Sequence, residues 1–307
     1  MTIKRIILTI GKIILGGLVF YAGIILGSVL AGLLGLAMPS LPAGADVATL
    51  GQYQLIISLL FAATLAFVSR GLATGFLARW LILVFFSWVS YALNTYLEAA
   101  IFTSDGAASA YTLIMQLVAI LLCATVVAGL FRPEEPGVSF KIRFEAFVGQ
   151  YRLHRWAWLF LLCLLAFPLA YVVFGLLVEP FVIEFYEQQL ASLTAPGWGE
   201  IIPVLLLRSL LFLLACLPVL IVWQKSRLQL LITLGSALFI LVGGLYMLQS
   251  YWFPFIMRVA HSLEILADSF VYAGVLVLLL TKGERRPAQP EGASRIEEQL
   301  GTVLRRP

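Results

Sequence analysis

The stretch 6–37, IILTIGKIILGGLVFYAGIILGSVLAGLLGLA, carries a single charged residue, Lys12, in 32 positions. A helix needs about 20 mostly apolar residues to cross the roughly 30 Å hydrocarbon core of a bilayer. This run exceeds that length, so it is expected to tilt, break or project from the membrane. It follows Lys4 and Arg5 but is far longer than the apolar core of a cleavable signal peptide, about 7–15 residues, and is read as a retained span.

Seven further apolar runs follow at 53–68, 77–102, 111–131, 156–177, 201–223, 228–247 and 263–281. Of the 307 residues 62% are hydrophobic and 12% charged, with a mean hydropathy of +1.01. A soluble domain is nearer 45–50% apolar and about 25% charged. A chain this apolar cannot cover a globular surface with polar groups, which excludes a soluble enzyme and a nucleic-acid-binding domain. The expected fold is an all-α, polytopic membrane helix bundle of eight spans with interfacial amphipathic helices, its principal partner the lipid bilayer.

Basic residues set the orientation. Alternating the spans puts 18 of the 20 Lys and Arg on one side, while the opposite loops 38–52, 103–110 and 178–200 hold none. Both termini are therefore expected to be cytoplasmic, in an inner or plasma membrane. The net charge of +4 reflects these span ends and signals no nucleic-acid partner. Trp80, Trp156, Trp158 and Trp223 fall at cytoplasmic borders and Trp198 and Trp252 at outer ones, as an aromatic belt requires.

The organisation reads as a first four-span half (1–131), a cytoplasmic linker (132–155), a second four-span half (156–281) and a polar, mostly disordered tail (282–307). An even number of spans in each half makes any repeat parallel. Its one sequence sign is that Arg79 and Arg227 each open a third span. In the linker, Phe140, Phe144, Phe147 and Tyr151 share a stripe at helical spacing, which predicts an amphipathic helix on the inner leaflet. The outer segment 179–200, bounded by Pro180 and Pro196, is expected to be a second interfacial helix. Gly23, Gly27, Ala31 and Gly35, spaced by four, give the first span a smooth face for internal packing or for a homo-oligomer or partner subunit. Cys123, Cys163 and Cys216 lie in apolar runs with no CxxC spacing, so neither disulfide nor thiolate metal site is expected.

Ionisable groups inside spans are expensive and point to function by default. Asn94 and Glu98 lie four apart on the third span, Arg208 lies in the sixth, and Arg258, His261, Glu264 and Asp268 lead into the eighth. The last four share one sector of about 120° on a helix. All seven sit at outer-leaflet depth, and they form the candidate binding site. Such a set suits a transporter-like or solute-binding bundle, taking a small polar solute, a lipid headgroup or a proton. It also suits a scaffold whose buried charges fix helix register. A third possibility is an intramembrane metal or acid–base hydrolase on the His261–Glu264 pair, with the metal and any cofactor undetermined. No HExxH, GxSG or paired-aspartate motif accompanies it.

Overall fold

The computed structural model describes residues 3–103, 109–133 and 138–281. Among these, eight helices are long and apolar enough to cross a membrane: α1 (Ile3–Leu33), α2 (Val47–Gly71), α3 (Phe76–Phe102), α4 (Ala110–Leu130), α6 (Leu153–Glu187), α7 (Trp198–Val222), α8 (Arg227–Gln249) and α9 (Phe255–Leu280). A short helix, α5 (Phe140–Val148), links α4 to α6. The chain is thus a multi-pass, all-α membrane protein.

Local chemistry explains where the helices stop. The first span ends at Leu33, short of the expected 37, because Gly35 adopts φ 74°. Its N–H then reaches the Gly32 carbonyl and the Leu36 N–H reaches that of Ala31, which satisfies the last turn. Asp46 caps α2 by accepting from the Thr49 N–H at 2.9 Å. Ser226 and Gln229 bond each other's backbone N–H groups and so start α8 sharply.

The glycine face of α1 is used within the chain. Gly16 and Gly17 lie against Ala62 and Leu59 of α2, and Gly23 and Gly27 against Ala119 and Met115 of α4. A Cβ on Gly27 would fall 2.5 Å from the Met115 carbonyl oxygen, so only glycine permits this approach. Most of the stripe is thus used for packing within the chain, while Gly35 at its end meets nothing within 4 Å. At Gly16 α1 meets both α2 and α4, through Ala62 and Val127, whereas at Gly23 and Gly27 the nearest atoms belong to α4.

In the last four spans, α9 packs against α6 and α8, and Gly235 and Gly243 of α8 accept Phe270 and Ile265. Pro168 in α6 has no N–H to give the Leu164 carbonyl. The Ser209 hydroxyl of α7 donates to that carbonyl instead, at 2.7 Å. On the basic face, Arg79 donates to the Thr74 and Ala128 carbonyls at 3.0 and 2.7 Å. Arg227 does the same for the carbonyls of Val277 and Thr281 at 2.9 and 2.6 Å. Each arginine opens a third span and closes the C-terminus of the span after it. The two adjoining turns meet, with Ala73 N–H donating to the Val222 carbonyl and Gln224 N–H to that of Gly71, both at 3.3 Å.

The linker stripe forms the expected helix α5, with Phe147 buried against Trp156 at a ring separation of 4.8 Å. The outer segment differs from expectation. No separate α-helix forms across 179–200; instead α6 runs on through Pro180 to Glu187 as one helix of 35 residues, followed by a single 3-10 turn at Leu190–Ser192. At 1.5 Å per residue that is about 52 Å, well beyond the hydrocarbon core. Its projecting end packs Val182, Tyr186 and Leu193 of the following turn against Phe253, Met257 and Ala260. The expected tail lies outside the described residues, as does part of the 132–137 breaker.

Candidate functional site

Two spans widen at the middle of the bundle. Residues Trp88–Leu93 of α3 and Ile240–Gly244 of α8 form π-helical turns, which face each other. A π turn displaces one backbone carbonyl from the ordinary ladder. Asn94, immediately after the first, donates from Nδ2 to the Val242 carbonyl within the second at 2.9 Å. Its Oδ1 in turn accepts from Arg208 Nε at 2.9 Å, and Arg208 Nη2 donates to Glu98 Oε1 at 2.5 Å. Arg208 is only 2% exposed. Its guanidinium also lies 5.2, 5.6 and 5.9 Å from the ring centroids of Phe167, Tyr171 and Phe212. The charge is thereby met by an amide, a carboxylate and three aromatic rings, while Nη1 is buried without a hydrogen-bond partner among the described residues.

A second group stands on α9. His261 Nδ1 and Glu264 Oε2 are 2.7 Å apart, and His261 Nε2 is 3.4 Å from the Tyr186 hydroxyl. Asp268 follows one turn deeper. It is 5% exposed, and its Oδ1 is buried with no hydrogen-bond partner among the described residues.

Both groups open onto one cavity of about 620 Å³, within the range that holds a drug-sized ligand. Glu98, Arg208, His261, Glu264 and Asp268 form its polar wall, with Tyr91, Tyr171, Tyr186, Gln116 and Tyr272 beside them. The remaining wall is mixed: Ile24 and Ile25 of α1, Val47, Leu50 and Gly51 of α2, Met38 and Trp252 give it an apolar part, with Ser28, Gln54 and Gln249 among its polar members. Ile25, Met38 and Val47 of this wall are also exposed, so the cavity reaches the molecule's surface between α1 and α2. Asp46 ties the α1–α2 connection to the α8–α9 turn. Its backbone N–H donates to the Tyr251 hydroxyl at 2.6 Å, and that hydroxyl is 3.1 Å from Asp46 Oδ2. The Thr49 backbone bond, followed by the Thr49 and Tyr251 side chains, holds the Asp46 carboxyl below its ordinary pKa.

Of the seven residues expected from sequence, five line the cavity, and Asn94 supports them through Arg208. Arg258 does not join. It sits in the first turn of α9, nearer the membrane surface, and makes no ion pair among the described residues. The tyrosines and Gln116 were not anticipated, although a hydroxyl or amide inside an apolar run is a weak signal of a polar pocket. Among the described residues no three His, Cys, Asp or Glu side chains converge to hold a metal. His261 and Glu264 therefore form a pair without a third ligand. Comparison with known proteins finds no family model, no curated protein and no solved structure that matches this chain.

Proposed function

We propose that the protein is a transporter-like bundle whose cavity binds an amphiphilic solute carrying a positively charged head. The observation that carries this is Asp268 Oδ1, buried in the cavity wall and without a hydrogen-bond partner among the described residues. Three carboxylates, Glu98, Glu264 and Asp268, share the cavity with one arginine and one histidine. Arg208 is engaged by Asn94 and Glu98, and His261 by Glu264. Asp268 Oδ1 is left without a hydrogen-bond donor among the described residues, a costly state for a carboxylate oxygen in an apolar bundle. A bound cationic group or a proton completes it. The gap between α1 and α2, with its apolar side chains, then accommodates the body of a molecule arriving from the outer leaflet.

The equivalent duties of Arg79 and Arg227, and the π turn in each third span, further support two parallel four-span units meeting at this site. A scaffold role is favoured by a specific observation of its own, the unbroken chain from Val242 through Asn94 and Arg208 to Glu98. We assign that chain to holding α3, α7 and α8 in register, and the α9 group to binding.

The test is equilibrium binding to the purified protein in neutral lipid nanodiscs, using dodecyltrimethylammonium below its micellar concentration. Empty nanodiscs and dodecyl sulfate serve as references. Saturable binding of the cation, weakened about tenfold or more in Asp268→Asn, is the expected result. Equal uptake of dodecyl sulfate, or undiminished binding by Asp268→Asn, refutes the proposal.

A further inference from the structure

A second cavity, of about 460 Å³, lies on the opposite, basic face, where α5 rests against the ends of α7 and α9 and the start of α8. Its lining is unlike that of the first. Arg143, Lys225 and Arg227 contribute three positive charges, and no carboxylate is present. The one acid described on α5, Glu145, is paired instead with Lys141 on the exposed side, at 3.9 Å.

Two donors in the cleft lack partners: Arg143 Nε and Trp223 Nε1 are both buried and have no acceptor among the described residues, and Gln224 Oε1 beside them is a buried acceptor without a donor. Leaving such donors unpaired costs free energy that an acceptor-rich ligand recovers. Arg227 is anchored, since its Nε donates to the Thr281 hydroxyl at 2.9 Å and its Nη2 to the Val277 and Thr281 carbonyls. Its charge is therefore fixed at the rim. Lys225 is exposed and free to swing over the opening. The cleft also sits at the N-terminal end of α8, where the helix dipole favours negative charge.

Only an anion with several acceptor oxygens meets two separated N–H donors and up to three positive charges at once. We propose that this cleft binds a phosphoryl group, presented by a phospholipid headgroup of the adjoining leaflet or by a soluble phosphate. Fork-shaped guanidinium donors and a mobile ammonium are the usual partners of such oxygens. Basic clefts between spans at this depth suit lipid phosphates. Bound there, the ligand pins α5 to the turn between α7 and α8. The site is remote from the outer cavity and independent of the function proposed for it.

The experiment uses the full chain, stripped of lipid in neutral detergent, and follows its thermal unfolding midpoint. Short-chain phosphatidylglycerol, inorganic phosphate and a short-chain glucosyl diacylglycerol are titrated separately. A rise with phosphatidylglycerol alone identifies the lipid source, and a rise with inorganic phosphate identifies a soluble one. In either case the apparent affinity falls about tenfold or more in Arg143→Gln/Lys225→Gln, and rising salt weakens it. Arg227 is left intact because it closes α9. The variant's own midpoint without ligand, close to wild type, shows that it folds. No rise with either phosphate compound overturns the proposal. So does an equal rise with the glucosyl lipid, or a response that survives in the double variant.

Discussion

Replacing Arg208 by Met removes a charge that three elements share. The variant loses the bonds to Asn94 Oδ1 and Glu98 Oε1 at 2.9 and 2.5 Å, and it leaves a carboxylate facing an apolar wall. Breaking one side of a buried ion pair costs about 3–5 kcal/mol. The Glu98 side chain is 32% exposed along the cavity and keeps some hydration, which places the expected loss near the lower end, about 3 kcal/mol. Glu98→Gln retains an acceptor for Nη2 and is expected to cost about 1 kcal/mol. The double variant has no unpaired charge, so its loss should fall short of the sum by at least about 1 kcal/mol. Reversible unfolding by SDS in mixed micelles measures all three. Losses that add within about 0.5 kcal/mol, or an Arg208→Met variant as stable as wild type, would refute the assignment of this chain to helix register.

Three further outcomes are expected. Gly27→Leu should abolish the folded monomer by driving α1 off the Met115 backbone, whereas Gly32→Leu, which meets nothing within 4 Å, should leave size-exclusion behaviour unchanged. Ser209→Ala should cost about 1 kcal/mol by orphaning the Leu164 carbonyl, and much less beside Pro168→Ala, which restores that carbonyl's own helical donor. Asp46→Ala should speed hydrogen exchange at the Thr49 amide at neutral pH. Because the folded carboxyl lies below its ordinary pKa of 3.8, wild-type protection should be complete above that value and disappear as pH falls through the lower, folded one.

The spans were legible because twenty apolar residues have few other uses, and the site's depth followed from counting where Asn94, Glu98, Arg208 and the α9 group fall along them. Convergence was only an expectation, since depth says nothing of rotation about the bundle axis. Arg258 shows the gap: it shares the sector of His261 and Glu264 but lies a turn too near the surface. In the sequence Pro180 reads as a boundary, yet in α6 it interrupts one bond of a helix that continues to Glu187. The π turns at Trp88–Leu93 and Ile240–Gly244 have no sequence signature; Asn94, just after the first, donates to the Val242 carbonyl inside the second. The glycines of α1 announced a close approach without naming the partner, which proves to be α2 and α4.

The most direct measurement is an experimental structure of the protein with a long-chain trimethylammonium brominated at its tail. The account predicts the ammonium within about 4 Å of an Asp268 carboxylate oxygen, and the bromine in the gap between α1 and α2. An ammonium bound elsewhere, with Asp268 paired to a protein group and the cavity closed, would contradict it.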